Sequence, residues 1–324
     1  MMMTWLTILF LLFPGLGYYY DLYQIALTEH LFVRFEQQIA QQVRSLQDNP
    51  VEVDLSSPRI FPMPPTRKDA WSEIDLPVKS GLAVDLQSNQ QLFSKNADQA
   101  MAIASITKLM TALVFLEHNP GWDVIYKVLP EDRREGGRIR LYTADQLTTK
   151  DLFYASLVGS ENTAITGLVN LTGLSEQVFV EEMNQKAKSL RMFNTSFVDP
   201  TGLSPENQST ARDVFKLVRV AIQNDEIKKA VLTGTYRFQT KEGQEKIFES
   251  TDDLLGQMPG EIKILGGKTG YLEEGGYCFA AMFEQDGHQV ITVVLGADDR
   301  WQRFTQTERL LNWVFQGYDW PEIK

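Results

Sequence analysis

The chain has 324 residues and a net charge of -11, from 31 Lys and Arg against 42 Asp and Glu, with 43% of its residues hydrophobic. That acidity argues against a nucleic-acid partner, because phosphate contacts need a basic face; the length allows one large domain or two modest ones. A single cysteine, Cys278, excludes an internal disulfide and a cysteine-based metal site, and reads as a small buried residue in a strand.

The opening "MMMTWLTILFLLFPGLGYYY" is apolar from Trp5 to about Tyr20. It reads as a secretory signal or a short membrane anchor. No basic residue precedes it and no small-x-small cleavage site follows, which favours an uncleaved anchor over residues 1–20. Residues 21–75 read as a polar stalk, clearest in "EQQIAQQVRSLQ", running into a linker with proline at 58, 62, 64 and 65. Neither a helix nor a central strand accepts that proline density.

The globular domain is expected over residues 76–324. "SGLAVDLQSNQQLFSKN" alternates apolar and polar residues around Gln-Ser-Asn-Gln, a β-hairpin signal. "SITKLMTALVFLEHNPG" is apolar almost all round, which predicts a buried helix stopped by Pro120 and Gly121. A helical region follows, with caps at Thr148, Ser175 and Thr210 ahead of "LFYASLV", "EQVFVEEMNQKAKSL" and "DVFKLVRVAI". Strands return in "EIKILGGKTG", "GGYCFAAMFEQ" and "QVITVVLGA", the last two joined at Asp286-Gly287. The final "RWQRFTQTERLLNWVFQ" is an amphipathic helix. Two strands, helices, three strands and one helix predict an α+β fold: an antiparallel sheet flanked by helices, with a helical region inserted between its parts.

His30, His118 and His288 are scattered, and neither H-E-x-x-H nor G-x-S-x-G occurs. Gly266-Gly267-Lys268-Thr269 invites a phosphate-loop reading, which fails. The first glycine of that motif would be Ile262, and a turn and strand, not a helix, follow Thr269.

Three short elements instead form a set. In "ASITKLM", Ser105 and Lys108 are three apart, so on a helix the amine can reach the hydroxyl. A lysine can activate a serine if burial or a nearby cation leaves it neutral, and Lys268 would supply that like charge. In "LVGSENTA", Ser160 and Asn162 can face a cleft together from an extended turn. A hydroxyl there can relay protons and an amide can hold a peptide. Lys268-Thr269-Gly270 lies on a strand, where Gly270 lets a substrate lie close. The N–H groups of Tyr271 and Ser105 can form an oxyanion hole. The order helix, loop, strand makes the three together far more specific than any alone.

With these motifs, "FVEEMNQKAKSLRMFNTSFVDPTGLSPENQSTARD" and "GGKTGYLEEGGYCFAA", the sequence resembles the penicillin-binding D-alanyl-D-alanine carboxypeptidases over roughly residues 77–315. Those serine peptidases share the β-lactamase/transpeptidase-like fold. The resemblance implies that Ser105 is acylated by D-Ala-D-Ala peptides and by β-lactams, with Lys108 as its base. Ser160 and Asn162 would assist proton transfer and bind the peptide, while Lys268 and Thr269 line the docking strand. Arg303 sits where some members carry an arginine near the substrate carboxylate; a surface arginine is the alternative. The expected enzyme is a serine D-Ala-D-Ala carboxypeptidase acting on peptidoglycan peptides outside the cytoplasmic membrane, with no metal or cofactor. The competing readings are a D,D-endopeptidase, a β-lactamase and a catalytically silent wall-binding module. Three departures bear on the choice: Leu272 where the family often has threonine, "STDDLL" where it is Asn-rich, and Glu161 where it has a small residue.

Overall fold

The computed structural model describes residues 63–322 except 135, 138 and 259. The expected anchor at 1–20 and most of the stalk and linker therefore lie outside the described residues. In chain order the main elements are β1 (Ser80–Asp85), β2 (Gln91–Lys95), a 3-10 turn (Ala104–Ile106), α1 (Thr107–Glu117), α2 (Thr149–Val158), α3 (Asn162–Leu171) and α4 (Glu176–Ser189). They continue with α5 (Ala211–Gln223), α6 (Asp225–Val231), β3 (Thr235–Gln239), β4 (Glu245–Glu249), β5 (Lys263–Leu272), β6 (Gly276–Gln285), β7 (His288–Ala297) and α7 (Gln302–Gly317).

Five strands form one sheet in the order β5-β6-β7-β1-β2, every pair antiparallel. The expected α+β fold is thus present, with the helices inserted between β2 and β5. The β6–β7 hairpin turns in two residues, Asp286 at φ 52° and Gly287 at φ 79°. A primed turn needs that left-handed pair, and its twist matches the strands. Both sheet faces are covered, which is why β6 and β7 read as nearly unbroken apolar runs. Cys278, Ala280 and Met282 join the core beneath the helices, whereas Phe279, Ala281 and Phe283 join the core under α7. That split follows the two-residue alternation of a strand.

Helix α1 runs through the middle of the helical layer and buries every residue from Thr107 to Phe115. Each large apolar side chain sealed there contributes about 1.5–3 kcal/mol. The expected caps form: the Thr148, Ser175 and Thr210 hydroxyls accept the N–H groups of Asp151, Val178 and Asp213.

Two features depart from the sequence reading. The compact unit starts before Leu76, since Thr66–Arg67 pairs with Tyr318–Asp319 and Trp71 packs onto the core beside α7. Between Ile222 and Glu261, where the sequence reading assigns no element, α6 is followed by the β3–β4 hairpin. Lys246 of β4 pairs with Asp145 at 2.6 Å, both residues being at most 7% exposed. This buried pair ties the hairpin to the segment ahead of α2, where Thr235 and Glu249 wall the cleft described next.

Candidate active site

A cleft of about 650 Å³ opens between the helical layer and the β5 edge of the sheet. Ser105, Ser160, Asn162, Thr269, Tyr271 and Arg303 line it, so all three sequence motifs meet in one place. Lys108 and Lys268 sit behind this lining, each at most 2% exposed.

Ser105 lies in the 3-10 turn that leads into α1. Ala104 just before it has φ 47°, a left-handed conformation that costs a non-glycine residue roughly 1–2 kcal/mol. The turn is held from below, because the Ile103 N–H donates to the Asn207 carbonyl at 3.1 Å. Lys108 follows in the first turn of α1. Its Nζ lies 3.0 Å from Ser105 Oγ, 2.7 Å from Asn162 Oδ1 and 2.5 Å from the Thr201 carbonyl oxygen. A neutral amine has two N–H donors and one lone pair. With the two carbonyl oxygens taking the donors, the lone pair faces the Ser105 hydroxyl.

Burial pushes the Lys108 amine down to about 7, against the opposing pull of the Asp199 and Glu161 carboxylates. Desolvation of a charged amine thus does the work expected of Lys268. The like charge acts mainly the other way: burial first, then Lys108, then Arg303 hold Lys268 well below the usual lysine range.

Ser160 reaches the cleft by a route other than an extended turn. It lies beyond α2 and its cap Gly159, in the left-handed region at φ 57°, and Asn162 already begins α3. The strain aims the two side chains at different lysines: Lys268 Nζ donates to Ser160 Oγ at 3.0 Å, while Asn162 serves Lys108. Asn162 Nδ2 also donates to the Gly136 carbonyl at 2.9 Å, which fixes the amide's orientation.

On β5, Thr269 shares a 2.6 Å hydroxyl contact with Thr251. Gly270 is needed for a reason the sequence reading missed. A Cβ there would lie 2.7 Å from the Ile103 carbonyl oxygen and 3.1 Å from Ala104 Cβ, so the glycine, which also lines the cleft, makes room for the Ser105 turn. This contact sets the Ser105 and Tyr271 backbones on adjoining segments. Arg303 is no surface arginine. It is 6% exposed, donates from Nη1 to the Gly270 carbonyl at 3.3 Å and keeps a buried Nε without a partner. Leu272, half-buried at the end of β5, does not line the cleft, whereas the stacked pair Tyr271 and Tyr277 does.

Other residues belong to the site without having been marked as such. Glu161 is 2% exposed, and burial raises its carboxyl to about 7. Asp252, in the segment expected to be Asn-rich, is raised to about 6 by burial. Asp199 and Thr201 shape the turn behind Lys108. Their sequence signal, the turn-forming run Asp-Pro-Thr-Gly, gives a turn but not its destination. Among the described residues, no group of three or more His, Cys, Asp or Glu side chains could hold a metal ion.

Comparison with known proteins matches this architecture. A family model described as D-alanyl-D-alanine carboxypeptidase, Peptidase S11, matches residues 67–299. The D-alanyl-D-alanine carboxypeptidase DacF of Bacillus subtilis is 31% identical over 256 residues, 76% of this chain and 64% of that protein's length. A D-alanyl-D-alanine endopeptidase of Escherichia coli is 33% identical over 258 residues, 77% of this chain and 81% of its own. The structure of penicillin-binding protein D2 from Listeria monocytogenes, with cefotaxime bound, superposes with a TM-score of 0.65 at 31% identity. That match covers 75% of this chain and 99% of the Listeria one. The family match spans all three motifs and the whole five-stranded sheet, and on that basis the chain belongs to the Peptidase S11 family of D-alanyl-D-alanine carboxypeptidases.

Proposed function

We propose that this chain is a serine D-Ala-D-Ala carboxypeptidase that acts on peptidoglycan peptides through an acyl-enzyme on Ser105. The observation that carries the reading is the buried Lys108 amine, held by Asn162 and Thr201 with Ser105 Oγ 3.0 Å away. Neutral Lys108 takes the hydroxyl proton as Ser105 attacks the penultimate D-alanine carbonyl. The Ser105 and Tyr271 N–H groups receive the developing oxyanion. Ser160, in contact with Lys268, relays to the leaving amine the proton that Lys108 took from Ser105, and water activated by the neutral Lys108 then releases the acyl group. Arg303, buried beside Gly270, meets the terminal carboxylate along the strand carrying Lys268 and Thr269. A β-lactam enters the same cleft and stays on Ser105, as the cefotaxime-bound Listeria relative supports.

A second reading, D,D-endopeptidase, has its own support. Relatives at 33%, 31% and 34% identity carry that name. The substrate lies outside the cytoplasmic membrane, so we place the enzyme on that face, with residues 1–20 as anchor. Among the described residues no helix is long and apolar enough to cross a membrane.

Fluorescent penicillin should label the wild type covalently and leave Ser105→Ala unlabelled. Free D-alanine from a pentapeptide, set against cleavage of a cross-linked dimer, separates the two readings. A wild type that takes no label and cleaves neither substrate sinks both.

A further inference from the structure

Behind Lys108 lies a turn, residues 199–204, whose folding depends on one carboxylate. Asp199 Oδ1 accepts the Thr201 N–H at 2.6 Å, the Thr201 hydroxyl at 2.5 Å and the Gly202 N–H at 2.8 Å. Its Oδ2 accepts the Ser204 N–H at 2.9 Å. Asn207 secures the turn from the other side. Its Oδ1 takes the Val198 and Asp199 N–H groups at 2.7 and 3.2 Å, and its Nδ2 donates to the Asp199 carbonyl at 2.8 Å and to Thr107 Oγ1 at 3.3 Å. The turn is also pressed onto the nucleophile, since a Cβ on Gly202 would fall 2.1 Å from the Ala104 carbonyl oxygen. What this scaffold presents is the Thr201 carbonyl, 2.5 Å from Lys108 Nζ.

We propose that Asp199 is a positioning residue for the Ser105–Lys108 pair: it folds the 199–204 turn so that the Thr201 carbonyl holds the amine, and its charge sets how readily that amine gives up its proton. The inference rests on Ser105 and Lys108 being nucleophile and base. Four backbone and hydroxyl donors converge on one side chain, which fixes the carbonyl far more tightly than a loop alone. The charge acts over the same short path. The ionisable groups facing Lys108 are Asp199 from this turn, Glu161 from the turn ahead of α3 and Lys268 from β5. Asp199 exerts the larger of the two pulls that oppose burial at Lys108. Without it the ammonium is less stabilised, so the amine is neutral at lower pH but a weaker base.

Two substitutions separate charge from shape. Asp199→Asn keeps an oxygen for the Oδ1 contacts, gives up the Ser204 N–H contact at Oδ2 and removes the charge. The acid limb of its penicillin-acylation profile should move to lower pH by roughly one unit, and its plateau should fall about tenfold. Asp199→Glu keeps the charge and pushes the turn away; its midpoint should stay at the wild-type value while the rate drops. A purely structural Asp199 would lower the Asn variant's rate with no movement of its midpoint, and that result overturns the proposal. So does a wild-type rate in Asp199→Glu, which also decides the matter if the Asn variant fails to fold. Failure of the underlying reading looks different, because the wild type itself would then take up no penicillin.

Discussion

Adding one methyl group at Gly270 tests whether β5 and the nucleophile turn are in hard contact. A Cβ there falls 2.7 Å from the Ile103 carbonyl oxygen and 3.1 Å from Ala104 Cβ. Reaching ordinary contact requires the strand or the turn to yield by roughly half an ångström. The strand cannot retreat easily, because Gly270 is paired with Cys278 of β6, whose side chain is fully buried. The turn is then left to yield, so Ser105 should shift relative to Lys108. Overpacking of this kind costs about 1–3 kcal/mol. For a domain of this size 2 kcal/mol lowers the melting temperature by about 4–8 °C. A displaced nucleophile costs more in rate than in stability, on the order of a hundredfold for an ångström and about tenfold or more here. Gly270→Ala should therefore bind fluorescent penicillin covalently at least about tenfold more slowly while melting only a few degrees lower. If it acylates and melts like the wild type, the contact is not rigid and the account of Gly270 is wrong.

Three further outcomes are expected. Acylation by penicillin should rise with pH to a half-maximum near 7, because the base must be neutral and burial holds Lys108 at about 7; a flat rate between about pH 5.5 and 8.5 contradicts a lysine base. Lys246→Met strands the Asp145 carboxylate in a buried site, which should cost about 3–5 kcal/mol in urea unfolding. The same change made with Asp145→Leu should restore most of that loss. Glu161→Gln should stabilise the domain at alkaline pH, by at most about 3 kcal/mol. Its folded pKa, raised from 4.5 to about 7 by burial, makes the charged form costly above 7, and that cost fades as pH falls towards 4.5. Equal melting-temperature differences between variant and wild type at about pH 8 and pH 4.5 go against this.

The sheet and the three motifs were readable because each rests on local chemistry: strand alternation, Asp286-Gly287 for the hairpin, hydroxyl caps ahead of helices. What escaped depends on distance. The β3–β4 hairpin packs few buried side chains of its own and is fastened by Lys246 to Asp145, a pairing no sequence window spans. Gly270 was read correctly as a site of close approach, but the neighbour is the Ser105 turn. Lys108 was expected to feel Lys268, whereas the larger effect is its removal from water, a property of nine consecutive buried residues on α1. Ser160 was placed in the cleft for the wrong backbone reason, since φ 57° is invisible in Ser-Glu-Asn.

The order of the strands has a bearing on how the protein comes into being. Val290 of β7 pairs with Asp85 of β1, 205 positions earlier, so the central seam of the sheet joins an early piece of the chain to a late one. Ser105 leaves the ribosome long before the strand bearing Lys268 and Thr269. A nascent chain therefore carries Ser105 without its opposite wall, and the cleft is incomplete until β5 has closed against the Ser105 turn. Closing so long a loop is slow relative to local contacts. Until the last sheet strands dock, the Ser105–Lys108 pair has no opposite wall.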